Sequence, residues 1–120
     1  MLLDSNIIIY SVQSEYAHVR EFIKVNRPHV SVISYVEVLG YHKLSEPEKD
    51  LFESFFQAAN MLQVTSAVIT KAITLRQEKS MSLGDALIVG TALEHDLALV
   101  TRNIDDFSWI DTLRIINPLD

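Results

Sequence analysis

Short apolar segments alternate with helix-like segments along the whole chain, and this alternation is the strongest constraint on its fold. Strand-like segments are predicted at 1–3, 29–33, 61–64, 97–101 and 113–116, and helices at 5–12, 15–25, 34–41, 47–59, 67–79 and 83–95. Strands separated by helices pair in parallel, because the crossover helix returns the chain to the same edge of the sheet. The sequence therefore predicts an α/β sandwich with a mostly parallel sheet of four to five strands flanked by helices.

Composition limits the possible classes of protein. A chain of 120 residues, 48% of them apolar, is expected to form one domain over 1–120, with some apolar surface left for a second subunit. The formal charge of −6 opposes a protein that coats nucleic acid by bulk electrostatics, although a bound metal ion would offset that excess locally. The lack of cysteine and of any apolar run near the roughly 18–20 residues that span a bilayer predicts a cytoplasmic protein without a membrane segment.

One helical face in the middle of the chain is strongly apolar. The helix predicted from Pro47 places five apolar side chains at helical spacing, namely Leu51, Phe52, Phe55, Phe56 and Ala59. We expect this face to lie in the core, and the alternative is a groove that receives a partner helix.

Four short stretches place an acid or an amide where an apolar run ends. Asp4 follows the first apolar segment, Glu37 comes shortly after the second, Asp85 begins an apolar helix, and Asn103 follows segment 97–101. Ligand sites in open α/β sheets form beyond the carboxyl ends of the strands, so these positions are expected to converge. Carboxylates in apolar surroundings need a partner, and a divalent cation with oxygen ligands is one that all of them could share.

Helix capping is the alternative interpretation of each acid. The patterns Ser34-x-x-Glu37 and Ser82-x-x-Asp85 both fit a capping box, and Asp4 fits an N-cap. Singly, each acid is better explained as a cap. Together, their apolar surroundings favour a shared site, and a carboxylate at a helix start can serve both purposes.

The same stretches resemble PIN-domain ribonucleases, and especially the VapC-type toxins of prokaryotic toxin–antitoxin pairs. The matching motifs, in the family's order, are Leu3-Asp4-Ser5-Asn6, Val36-Glu37-Val38-Leu39, Gly84-Asp85-Ala86-Leu87-Ile88 and Val100-Thr101-Arg102-Asn103 followed by Asp106-Phe107. The resemblance covers the whole chain. It implies a PIN-like three-layer sandwich and an endoribonuclease that depends on Mg²⁺ or Mn²⁺, forms a homodimer and is held inactive by a cognate antitoxin protein.

The resemblance also implies roles for individual residues. Asp4, Glu37 and Asp85 match the family's three acidic residues, which are both catalytic and metal ligands. The supporting residues that it implies are Ser5 and Asn6 beside the first acid, Thr101 with its hydroxyl, and Asn103 and Asp106. We expect Asp4 and Asp85 to ligate the metal directly, whereas Glu37 either ligates through water or helps to deprotonate the attacking water.

The fourth acidic position is where this chain departs from many relatives. It carries Asn103, which can coordinate through its carbonyl but brings no charge, and Asp105 or Asp106 is available to compensate. This substitution leaves open whether one ion or two bind. Arg102, next to the expected site, is a candidate for contacting the RNA phosphate, and an ordinary loop arginine is the alternative.

Two other classes of protein compete with the nuclease. A PIN scaffold that has lost catalysis and acts in assembly is favoured by Asn103, and the three retained acids oppose it. A response-regulator receiver-like domain has a similar size and an acidic pocket. It would need a second acid beside Asp4 and a lysine late in the chain, whereas Ser5 follows Asp4 and no lysine follows Lys79.

Overall fold

The fold is described from a computed structural model, which describes residues 1–119. The strands are β1 (Leu2–Leu3), β2 (His29–Ser31), β3 (Asn60–Leu62), β4 (Leu99–Val100) and β5 (Ile115–Ile116). The helices are α1 (Ser5–Ser11), α2 (Ala17–Asn26), α3 (Val32–Leu39), α4 (Glu46–Ala58), α5 (Ser66–Glu78), α6 (Leu83–Glu94) and α7 (Ile104–Phe107), and a 3-10 turn at Ser14–Tyr16 precedes α2. The predicted alternation of strands and helices is confirmed, and α7 is an addition to it.

The five strands form one parallel sheet in the order β3-β2-β1-β4-β5. The first strand is therefore central: after β1 the chain builds β2 and β3 on one side, and later β4 and β5 on the other. Leu2 pairs with Leu99 and Leu3 with Val100. Such a reversal of strand order leaves a crevice at the carboxyl ends of the central strands, which is where α/β proteins bind ligands.

Helices cover both faces of this sheet, as the predicted three-layer sandwich requires. One core cluster holds Leu2 and Leu99 together with side chains of α5, α6 and α7, and the other holds Leu3 and Val100 together with side chains of α1 to α4. Successive residues of a strand point to opposite faces, so the two residues of β1 serve both cores. Being buried on both faces explains why β1 and β4 contain no polar residue.

The apolar face of α4 is narrower than the sequence predicted. Phe52 and Phe56 are 1% and 3% exposed, but Leu51 is 56% exposed, so its assignment to the core is wrong. Each helical residue advances by about 100°, which places Leu51 at the margin of the stripe that Phe52 and Phe56 define. Ser45 begins this helix with a complete capping box to Glu48. Among residues 1–119, no helix is long and apolar enough to cross a membrane.

Candidate active site

Asp4 lies at the carboxyl end of the central strand and is only 5% exposed. Its backbone N–H donates to Val100 O at 2.9 Å, which extends the β1–β4 ladder by one residue and sets Asp4 beside Thr101. The buried Thr101 hydroxyl donates to Asp4 Oδ2 at 2.8 Å and accepts from the Asn103 N–H at 3.1 Å. Asp4 precedes α1, yet its side chain makes no capping hydrogen bond to that helix. The capping interpretation is therefore wrong for Asp4, because its carboxylate is turned towards Thr101.

The electrostatics of Asp4 show that other carboxylates surround it. Burial raises the pKa of Asp4 above its ordinary value of 3.8, and the negative charges of Asp85 and Glu37 raise it further. Hydrogen bonds from Thr101 and from the backbone of Ser5 offset part of this shift. Two acids that are distant in sequence thus act on Asp4, although burial contributes more to its raised pKa than their charges do.

Asp85 occupies the third position of α6 and combines the two expected roles. Its backbone N–H donates to Ser82 Oγ at 3.1 Å, so the predicted serine cap is present. Burial raises the pKa of Asp85, the hydrogen bond with Ser82 lowers it, and the charge of Asp106 raises it. Asp85 is therefore part of a capped helix start and also a half-buried carboxyl on which the charge of Asp106 acts.

Glu37 lies inside α3, so its capping interpretation is also wrong. Helix α3 begins at Val32, because Ser31 is the N-cap and its Oγ accepts from the Ile33 N–H at 3.0 Å. Glu37 is consequently in the second turn, where a side chain cannot cap the start of the helix. Its Oε1 instead accepts a hydrogen bond from Ser5 Oγ at 2.7 Å, across 32 residues of sequence.

The segment after β4 contributes the remaining predicted residues. Arg102, Asn103, Asp105 and Asp106 line a shallow cavity of about 270 Å³ together with Ile104. Asp106 is the acid of this segment whose charge reaches Asp85, which favours it over Asp105 as a compensating carboxylate. Both acids lie in the first turn of α7. Asn6, by contrast, lies on the exposed side of α1 next to Ser5.

Arg102 is held by an aromatic side chain rather than by an acid. Its Nη1 donates to the Tyr10 hydroxyl at 2.9 Å, and its guanidinium lies 5.4 Å from the centre of the Tyr10 ring. Tyr16 packs on Tyr10 with ring centres 4.8 Å apart. The two ion pairs found in residues 1–119 are Lys71–Glu94 and Arg114–Asp96, so among these residues no cation pairs with the acids of the site.

The donor set suits a hard divalent cation, with one restriction. The side chains offer carboxylate and hydroxyl oxygens, which Mg²⁺ and Mn²⁺ prefer. Within residues 1–119, however, no three acidic or histidine side chains converge closely enough to hold one ion by themselves. Mg²⁺ usually binds through one or two carboxylates and keeps several waters, so a pair such as Asp4 and Asp85 is compatible with it.

Two residues of the site were not predicted from the sequence. Ser34 is fully buried and its Oγ lies 2.9 Å from Ser5 Oγ, so it belongs to the same hydrogen-bonded group as Glu37. The pattern Ser34-x-x-Glu37 contains a signal for this grouping, because residues three apart share a helix face, but the pattern also fits a capping box and was interpreted as one. Tyr10, which holds Arg102, has no local signal, since the two are 92 residues apart.

Comparison with known proteins identifies the class. The family model for the PIN domain matches residues 1–113, and the chain belongs to this family. The tRNA(fMet)-specific endonuclease VapC of Shigella flexneri is 29% identical over 123 aligned residues, which cover 94% of this chain and 93% of that protein. The protein of the same name from Salmonella typhimurium is also 29% identical, over 95% of this chain and 94% of its own.

Solved structures agree with this assignment. A toxin–antitoxin complex from Klebsiella pneumoniae contains a chain that is 26% identical, with a TM-score of 0.79 over 98% of this chain and 96% of its own. The DNA-bound VapBC of Salmonella typhimurium reaches a TM-score of 0.86 at 23% identity, over 98% of this chain and 96% of that chain. The resemblance to VapC-type PIN domains that the motifs predicted is confirmed, as is the fold.

Proposed function

We propose that this PIN-domain protein is an endoribonuclease that depends on Mg²⁺ or Mn²⁺ and hydrolyses RNA phosphodiester bonds, as the toxin of a toxin–antitoxin pair in the cytoplasm. The observation that carries the proposal is the buried Asp4 carboxyl, whose pKa is raised by burial and by the charges of Asp85 and Glu37. Burying a carboxyl beside other negative charges destabilises a fold, so this arrangement around Asp4 indicates a function. The VapC relatives named as endonucleases supply the reaction class.

The site residues divide the work as follows. Asp4 and Asp85 would hold the ion, and Thr101 fixes the orientation of Asp4 by donating to one of its two oxygens. Bound between these two acids, such an ion would supply activation of water and neutralisation of charge on the phosphate. Glu37 would either ligate the ion through water or help to deprotonate the attacking water.

Substrate contacts are assigned to the rim of the site. Arg102 is exposed and uses one of its five N–H groups on Tyr10, so the others are free to bind a phosphate oxygen. Asn103 and Asp106 border the same cavity as Arg102 and would support the metal site from the segment after β4. Ser5 and Asn6 would support the metal site from the start of α1.

The proposed partners follow from the same acidic surface and from the relatives. Toxin–antitoxin complexes are among the similar structures, and we infer that a cognate antitoxin inhibits this chain by presenting a basic side chain to the three acids. A homodimer is supported by the exposed Ile69 and Ile73, which lie one turn apart on α5. Both proposals predict small complexes that size-exclusion chromatography resolves.

RNA cleavage by the purified chain tests the proposed activity. We expect cleavage that requires Mg²⁺ or Mn²⁺, stops with EDTA and is lost in Asp85→Asn. The control is Asp50→Asn, an exposed acid on α4, which should cleave like the unchanged chain. Cleavage that persists in EDTA would contradict metal dependence. Absence of cleavage in all conditions would favour the non-catalytic scaffold.

Thermal stability tests metal binding independently of activity. Mn²⁺ should raise the melting temperature, because a ligand that binds only the folded state stabilises it, by about 2.7 kcal/mol at 100 times its dissociation constant. The increase should disappear in Asp4→Asn and persist in Asp50→Asn. An equal increase in Asp4→Asn would place the ion elsewhere on the protein.

A further inference from the structure

The two oxygens of the Glu37 carboxylate have different surroundings. Oε1 accepts from Ser5 Oγ at 2.7 Å, so a hydrogen bond fixes one side of the group. Oε2 lies against the backbone of Gly84, where a Cβ would come within 2.6 Å of it and within 3.3 Å of Cδ. Real Cβ atoms essentially never approach an oxygen that closely, so only glycine at position 84 leaves the carboxylate where it is.

Gly84 is not required by the conformation of the backbone. Its φ lies outside the left-handed region, and it occupies the first turn of α6, where alanine is favoured over glycine. The other two glycines differ from it, because a Cβ on Gly40 or Gly90 would meet main-chain oxygens, at 2.5 Å from Val36 O and 2.9 Å from Val68 O respectively. A Cβ at Gly84 would instead meet the end of the flexible Glu37 side chain, so the Glu37 carboxylate would have to move.

A buried serine fixes the other side of the carboxylate. Ser5 Oγ lies between Ser34 Oγ at 2.9 Å and Glu37 Oε1 at 2.7 Å. A hydroxyl has one proton and a carboxylate only accepts, so Ser5 donates to Glu37 and accepts from Ser34. Ser34 is fully buried, and its hydroxyl thereby directs the Ser5 proton towards Glu37.

We propose that Gly84 and Ser34 are positioning residues for Glu37: Gly84 leaves the space that Oε2 occupies, and Ser34 orients the hydroxyl that holds Oε1. The proposal rests on the proposed nuclease function, because it concerns how Glu37 is held for that reaction. Neither the secondary structure nor the packing of the core requires glycine at position 84, and the position of Glu37 explains why glycine is there.

The main test is Gly84→Ala. We expect kcat for RNA cleavage to fall roughly 10- to 100-fold with little change in KM, because a displacement of about 1 Å at a reacting group has effects of this size. The melting temperature should stay equal or rise, since alanine favours the helix. A crystal structure of the variant should show the Glu37 carboxylate moved away from residue 84. A variant with unchanged kcat, or with Glu37 in its original place, would overturn the proposal.

A double variant separates positioning from a direct effect on Asp85. Because Gly84 acts through Glu37, adding Gly84→Ala to Glu37→Gln should lower kcat no further than Glu37→Gln alone. A full additional loss would mean that residue 84 acts through its neighbour Asp85, and the proposal would be wrong. Ser34→Ala should lower kcat in the same non-additive way. If the unchanged chain does not cleave RNA at all, the proposed function fails first, and the crystal structure still decides whether Gly84 sets the position of Glu37.

Discussion

Asp4→Asn is expected to lower the rate of RNA cleavage by roughly 100-fold or more and, at neutral pH, to raise the melting temperature. The loss of rate follows because Asp4 is one of the two proposed metal ligands and its replacement removes a charge that metal and phosphate chemistry need. The fold should survive, because an asparagine oxygen can still accept the hydrogen bond from Thr101. Gel-based cleavage assays measure the first effect, and thermal melts of metal-free samples measure the second. A variant that cleaves RNA at a near-normal rate would rule out Asp4 as a catalytic residue.

The gain in stability should depend on pH in a defined direction. Because burial raises the pKa of Asp4 above 3.8 in the folded state, the protonated carboxyl is favoured by folding and the ionised one is not. Its favourable contribution is therefore complete below pH 3.8 and is lost as the pH rises through the raised value. The difference in melting temperature between Asp4→Asn and the unchanged chain should be largest at neutral pH, shrink as the pH falls through the raised pKa of Asp4, and level off below pH 3.8.

Phe52→Ala is expected to destabilise the fold by about 3–5 kcal/mol, the usual range for removing a buried aromatic side chain. Phe52 is 1% exposed and belongs to the core cluster that covers one face of the sheet. Such a loss is a large part of the roughly 5–15 kcal/mol by which domains of this kind are stable. Urea denaturation measures it as a lower midpoint at an unchanged slope.

The neighbouring residue provides the control for Phe52. Leu51→Ala removes an apolar side chain of the same helix, but one that is 56% exposed, and should change stability by no more than about 0.5 kcal/mol. Similar losses for both variants would show that α4 buries a different face. A large loss of stability for Leu51→Ala in the intact protein would indicate that a second chain covers this side chain.

Much of the fold could be predicted because the signals are local. Proline, glycine and apolar periodicity predicted the bounds of six helices to within a few residues, and the alternation of strands and helices predicted a parallel sheet. The start of α3 was misplaced because Ser31 and Ser34 are both suitable caps, and only the end of β2 at Ser31 decides between them. The order of strands could not be predicted, since local sequence does not determine which strands are neighbours.

The sequence could predict those residues of the site that come directly after a strand or begin a helix. Asp4 beside Thr101 follows from the pairing of β1 with β4, and Asp85 from the helix that it begins. The contact between Ser5 and Glu37 depends on how α1 packs on α3, and that packing is a tertiary property. The approach of Glu37 to Gly84 likewise requires α3 to lie on α6.

The central position of β1 has a consequence for protein synthesis. Its two neighbours in the sheet are made at very different times: β2 follows β1 closely in the sequence, whereas Thr101, at the end of β4, comes 97 residues after Asp4. A nascent chain that ends before β4 leaves β1 at an open sheet edge and lacks the Thr101 hydroxyl that holds Asp4, although α6 with Asp85 has already been made. The hydrogen-bonded surroundings of Asp4 are therefore completed only when β4 and Thr101 have been synthesised.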